Sequence, residues 1–307
     1  MALSRWRLKQ LWMYPFTRSE PGAHLYEWLT AVVLGTQSGM SAKWCYWFRE
    51  HIVLCRRFGR AQFPGRPIWL FEPGWSLAPE FMSRIATGRG ALVTEDRRRI
   101  ATRYLPGAIA EVTKVGEGLC RAARADPDSL ALLQRLRQAG SADEALRLSG
   151  AGYRVGDLRA LAGIPSASMD VCLSMGRLEH FSRSEIGLLF AQMRRILAPG
   201  GLGSHIVDHR DHYWHYDKAI HCFHHLTFSD AEWERICGKG KSYRNRLLEP
   251  DYVRLFEEAG FELLAAVHDL HRSDADGVDP KTLWGPYAGL TVHDLQAAVS
   301  HFVVRSR

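Results

Sequence analysis

Met169-Asp170-Val171-Cys172-Leu173-Ser174, a helical run from Glu185 to Leu197, the stop Ala198-Pro199-Gly200-Gly201, and Ser204-His205-Ile206-Val207-Asp208 spell one strand–helix–strand unit. The two apolar runs are short enough for buried strands, and the segment between them repeats apolar residues at helical spacing. Pro and Gly then close the helix. The same alternation continues on both sides. Upstream, Ile68-Trp69-Leu70-Phe71 stops at Glu72-Pro73-Gly74 and reads as a buried strand. Ser76-Leu77-Ala78-Pro79 opens a helix to about Thr87, with Ser76 as its cap. Gly90 to Thr94 is a second short strand ending at Glu95-Asp96, residues 97–150 are helical, and Tyr153-Arg154-Val155 is a further strand. Downstream come a helix from Asp251 to Ala259 ended by Gly260 and a strand from Phe261 to Val267. A helix remnant from Asp294 to Ala298 and a last strand from His301 to Val304 complete the pattern. Strands alternating with helices from residue 68 onward predict an α/β chain with a doubly wound, mostly parallel sheet.

The 307 residues are 46% hydrophobic and 24% charged, which excludes disordered and collagen-like chains. The longest apolar run, Trp28 to Gly35, is too short to span a bilayer. Six cysteines without a CxxC pair read as reduced thiols, and with no secretory signal they predict a cytoplasmic protein. Charge is unevenly placed. Ten of the 40 Lys and Arg residues fall within residues 1–66, against only Glu20, Glu27 and Glu50. The rest of the chain is balanced. The first nineteen residues hold four basic groups and no acid, a composition that a mitochondrial transit peptide shares. Breakers at Ala61 to Pro67 divide the chain into a basic helical N-terminal cap, residues 1–65, and an α/β domain, residues 66–307.

In open α/β sheets, ligands lie beyond the carboxyl ends of the strands. The turn Glu72-Pro73-Gly74-Trp75-Ser76 lacks the GxGxxG spacing for a pyrophosphate, so dinucleotides are disfavoured. An acid at its start suits a cationic amine. Glu95 or Asp96 could accept both hydroxyls of a ribose, and Asp157, after the third strand, an adenine amino group. The plainer readings are a helix-dipole partner for Glu72 and a turn residue for Asp157.

With Leu70 to Leu77, Gly156-Asp157-Leu158, Ser168 to His180, Met193 to Gly201 and Glu258 to Glu262 in this order, the chain resembles a class I S-adenosylmethionine-dependent methyltransferase. Its pattern is nearest the small-molecule group often called type 11, and the resemblance runs from about residue 66 to 307. It implies a Rossmann-like, seven-stranded sheet and S-adenosylmethionine as cofactor. Glu72, Gly74, Ser76, Glu95 or Asp96, Asp157 and Ser174 would hold that cofactor. Ser76 stands where the family has its second glycine, and Trp75 is bulky beside the place of the methionine moiety.

Seven of fourteen histidines lie between residues 201 and 230. His205, His209, His212 and His215 have the spacing of a metal-binding helix face, but His205 falls inside a strand, so no metal is assigned. A histidine-lined substrate pocket fits better. The expected reaction is methylation of a small-molecule or sugar hydroxyl, with His209 as general base and His212 and His180 as the next candidates. The alternatives are N- or C-methylation and a binding protein with an inactive cofactor pocket. The positive excess favours an anionic acceptor. Nucleic acid is disfavoured, because no Asn/Asp-Pro-Pro-aromatic tetrapeptide follows Leu173-Ser174.

Overall fold

The computed structural model describes residues 4–37, 39–238, 243–268, 278–291 and 294–307. Apolar alternation along the strands decides its layers. In β1 (Ile68–Phe71), Ile68 and Leu70 point to one face of the sheet while Trp69 and Phe71 point to the other. Both faces are buried, so both must be covered. The first is covered by α3 (Met40–Gly59), α4 (Ala78–Thr87) and α5 (Leu105–Ala123). The second is covered by α8 (Arg183–Ile196) and α10 (Glu249–Glu258), where Phe190 stacks on Phe256 at 4.2 Å between ring centroids.

The strands β2 (Leu92–Glu95), β3 (Gly152–Val155), β4 (Met169–Met175), β5 (Leu197–Asp208), β6 (Phe261–His268) and β7 (Val299–Ser306) complete one seven-stranded sheet in the order β3-β2-β1-β4-β5-β7-β6. The pairs from β3 to β5 are parallel, with Leu70 beside both Val93 and Leu173, whereas β7 runs antiparallel to β5 and β6. Strand order reverses between β1 and β4, so a ligand crevice is expected beyond their carboxyl ends.

Three expectations are corrected. Asp294 to Ala298 is turn and irregular chain rather than a helix remnant, with Asp294 N donating to Thr291 O and Ala298 N to Gln296 O in turns. The Ala198-Pro199-Gly200-Gly201 stop is already part of β5, which is twelve residues long. Ser76 is one residue short of the cap of α4. Leu77 holds that place, and the Ser76 hydroxyl accepts from Ala78 N at 3.3 Å.

The basic N-terminal segment has two structural roles. The helix α3 belongs to the sheet's helical layer, through Phe48, Ile52 and Cys55. Earlier, α1 (Arg5–Thr17) and α2 (Glu20–Trp28), with a π-helical turn at Leu29–Val33, lie over the carboxyl edge. Trp6 anchors them by packing with Tyr213, Trp233 and Cys237. Its backbone N–H also donates to Asp217 at 3.2 Å. The short helices α6 (Leu132–Leu136), α7 (Ala142–Ser149) and α9 (Asp230–Cys237) complete the chain.

Candidate active site

A cleft of about 520 Å³ opens where the topology places it. Its floor is Glu72 to Gly74 after β1, Met175 to Arg177 at and beyond the end of β4, and Asp208 at the end of β5. Residues of α1 and α2, among them Lys9, Tyr26 and Glu27, form the roof, and Trp44 and Trp47 of α3 one wall. The opposite wall carries His180, His212, Tyr213 and Arg244.

The floor is held by charge. Glu72 has a left-handed φ of 46°, which a residue with a side chain adopts only when its surroundings impose it. Here its carboxylate is clamped by Arg177 Nε and Nη2. Gly74, with φ 87°, turns its N–H onto Glu95 Oε1 at 2.6 Å and thereby ties the first loop to the end of β2. A Cβ at Gly74 would meet nothing within 4 Å, so the cleft is open above this backbone.

Beside it, Arg99 is wholly buried among acids. It bonds Glu95, lies 2.8 Å from Glu27 Oε1, 2.5 Å from Asp96 Oδ1 and 3.5 Å from Glu72 Oε2. Burial alone would weaken its charge, but Glu95, Glu27 and Asp96 together hold it firmly ionised. Trp75, expected against the methionine moiety, instead donates its indole N–H to Glu27 Oε1 at 3.1 Å. Glu95 and Asp96, equivalent in the sequence, differ in the fold. Glu95 is enclosed beneath Arg99, whereas the Asp96 side chain is 29% exposed.

Several proposed cofactor residues stand outside the cleft lining. Ser174 is fully buried and pairs with His205 Nδ1 at 2.8 Å, because its side chain alternates into the sheet. Ser76 pairs with Ser41 at 3.1 Å. Asp157 is exposed and accepts from Arg159 N and Ala160 N, the turn role weighed above.

The histidines divide. His209 was expected on the loop facing the transferring methyl. Its backbone N–H instead donates to Ala298 O, and its ring turns into the core, with Nδ1 3.0 Å from Leu247 O and Nε2 2.9 Å from Ser300 Oγ. Burial lowers its pKa. His212 and His180 do line the cleft, with rings 5.7 Å apart. His212 Nε2 is buried without a hydrogen-bond partner. His215 lies 3.7 Å from Asp208 Oδ2. Asp208, His212 and His215 each bring one ligand-type atom within 4.8 Å of the others, a grouping hidden by the turn that separates them in sequence. Both oxygens of Asp208 already accept from Arg210, at 2.8 and 2.9 Å. Although burial opposes it, bonds from His215 and Arg210 hold Asp208 ionised far below the usual carboxylate range.

Sequence reasoning missed Glu27, Arg99, Arg177 and Glu179. Arg177 and Glu179 could have been found, since they directly follow β4. Glu179 lies in the cleft lining with Oε2 buried and unpartnered, and burial pushes its carboxyl up to about 7. Glu27 and Arg99 carried no signal, because they meet across 72 residues.

Residues 107–204 match the family model described as a methyltransferase domain. That stretch begins after β2, so the Glu72-Gly74 loop lies outside it. No curated protein matches the sequence. Among solved structures, an S-adenosylmethionine-dependent methyltransferase from Methanosarcina mazei is similar at 12% identity and TM-score 0.45, covering 82% of this chain and 96% of that one. One from Mesorhizobium loti is similar at 14% identity and TM-score 0.41, covering 80% and 93%. Haemonchus contortus phosphoethanolamine N-methyltransferase 2, in complex with S-adenosyl-L-methionine, is similar at 12% identity and TM-score 0.45, covering 83% and 52%.

Proposed function

We propose that this chain is a class I S-adenosylmethionine-dependent methyltransferase and that it methylates a hydroxyl of a small molecule or sugar held in the aromatic-walled part of the cleft. The observation that carries the reading is the unpartnered His212 Nε2, in the same cleft as the open backbone at Gly74. One nitrogen can take a proton there, and one floor can hold a methyl donor.

The methionine end of the donor suits the residues present. Arg177 Nη1 is buried without a partner and can donate to the donor's carboxylate, while Glu72 can accept from its amine. Asp96, the more accessible acid of its pair, suits the ribose hydroxyls, and Asp157 the adenine amino group. The sulfonium supplies the driving force, and the protein aligns the three reacting atoms in line. When bound, S-adenosylmethionine would supply the methyl group and the sulfur that leaves with the electron pair of the broken bond. The hydroxyl proton passes to His212, and the ionised Asp208 close by stabilises the imidazolium. His180 is the second candidate. His209 serves the core.

Calorimetry of the full chain with S-adenosylhomocysteine tests the donor site. Heat of binding is expected, weakened by about 1.5–3 kcal/mol in Asp96→Ala, the range for hydrogen bonds to a charged group. Absence of heat at millimolar ligand from folded protein ends the reading.

A further inference from the structure

Three cations converge in the cleft without a carboxylate of their own. Lys9 Nζ sits 2.8 Å from the Tyr216 ring centroid and 5.8 Å from that of Tyr213. Lys43 Nζ sits 4.0 Å from the Trp47 centroid. Arg244 is only 6% exposed; its Nη1 lies within 2.7 Å of the His180 ring nitrogens, and its Nε has no partner. Among the described residues none of the three forms an ion pair. Arg244 is buried, Lys9 half-buried and Lys43 exposed, so the first two bear a desolvation cost that an aromatic face compensates far less than a carboxylate does.

The electrostatics agree that the three share one space. Burial first, and after it the charge of Arg244, bring Lys9 down to about 7. Burial lowers Lys43 as well, and Arg244 again acts in the same direction. Arg244 itself is brought down to about 10 by burial. Acids face this space as well, Asp211 toward Lys9 and Asp208 and Glu179 toward Lys43, but their charge does not outweigh the burial. Asp208 is taken by Arg210, and Asp211 accepts from Tyr213 N at 2.8 Å and lies 3.4 Å from His224. Glu179, with its raised pKa, can donate as a neutral carboxyl rather than repel an anion.

We infer that Lys9, Lys43 and Arg244 form a binding site for an oxyanion, a carboxylate or phosphate, carried by the methyl acceptor. That the ligand is the acceptor rests on the methyltransferase reading; that the site takes an oxyanion does not. The donor's carboxylate has its own proposed partner in Arg177, whereas Lys9 reaches Tyr216 from the roof and Arg244 touches His180 on the wall that carries the proposed base. The acceptor is thus an anion with an apolar or planar body that Trp44 and Trp47 can cover.

The test uses the full chain with Lys9→Met and Lys43→Met, which keep side-chain length and remove the charge. Calorimetry with inorganic phosphate and, separately, with acetate reads the site and tells the two oxyanions apart. At least one is expected to bind the parent protein, and each substitution is expected to weaken it tenfold or more. Phosphate or acetate should raise the melting temperature of the parent more than that of either variant. Without ligand, both variants should melt no lower than the parent, because each loses a member of a like-charged group. S-adenosylhomocysteine affinity should stay the same. No binding of either anion, equal binding by parent and variants, or loss of S-adenosylhomocysteine affinity in place of anion affinity overturns the inference. Anion binding by a parent that gives no heat with S-adenosylhomocysteine would overturn the methyltransferase reading and leave the oxyanion site standing.

Discussion

His205 and His212 are seven residues apart in one histidine-rich stretch, yet they belong to different chemistry. His205 is 1% exposed inside β5, bonded to Ser174, and burial drives its pKa down to about 3. Ser204 nearby bridges His51 and His301 at 2.8 and 2.9 Å, and burial lowers both of those imidazoles too. His212 lies beyond the strand end, in a turn, at the cleft. An imidazole in the core is a compact polar group that joins strands and helices through hydroxyls. An imidazole past the carboxyl edge is available to a substrate. What separates the two is the place where β5 ends, not the spacing of the histidines.

The contrast can be broken in order of expected effect. His212→Ala should lower turnover by about 10²–10⁴-fold, the usual worth of a general base, with S-adenosylhomocysteine affinity unchanged. Steady-state kinetics beside calorimetry reads both, and turnover within a few-fold of the parent would remove His212 from the base role. His209→Ala should act on the other side of the divide. It removes the ring from the Leu247 carbonyl and leaves Ser300 with Glu249 alone, so denaturant unfolding should show a loss of about 1–3 kcal/mol, while turnover of the folded protein stays near the parent's. A large fall in turnover without a fall in stability would return His209 to the site.

The third test is pH. As pH falls below 6.5, imidazoles of the unfolded chain take up protons that His205 and His301 refuse until about pH 3. The unfolded state then binds more protons, so stability falls with falling pH, by up to about 1.4 kcal/mol per pH unit per imidazole. His205→Asn should flatten that slope, and a slope identical to the parent's would contradict the burial argument.

The smallest effect has the opposite sign. Glu80 and Glu179, pushed up to about 8 and about 7 by burial, keep protons that unfolded glutamates release above 4.5. The folded state then binds more protons, and stability falls as pH rises through that window. Glu179→Gln should therefore gain on the parent between pH 5 and 7 in thermal melts. A constant difference across that range would mean that Glu179 is already ionised.

The parallel sheet was legible because Ile68 to Phe71 and Met169 to Ser174 are apolar on both faces, which only a covered central strand tolerates. The Glu72-Gly74 turn was legible because it follows the first of those strands. His209 was misjudged for a physical reason. The chain turns back toward β7 immediately after Asp208, and a hydrogen bond to Ala298 O swings the ring inward. Arg99, Lys9 and Arg244 were illegible as site residues, since arginines and lysines in helices and loops are ordinarily solvated. Only the fold reveals that these cations are enclosed.

The pairing of Glu27 with Arg99 gives the N-terminal helices an electrical meaning beyond cover. Arg99 grips Glu95, Glu95 grips the backbone of Gly74, and Glu27 supplies part of the negative charge that lets a guanidinium stay in the interior. Shortening the chain would therefore not be a subtraction. A protein beginning after residue 33 would keep the guanidinium while losing one of its carboxylates and the indole contact of Trp75. The floor of the cleft would have to rearrange around that imbalance. In this molecule the roof is wired to the floor, and the first thirty residues take part in setting the shape of a loop that begins forty residues later.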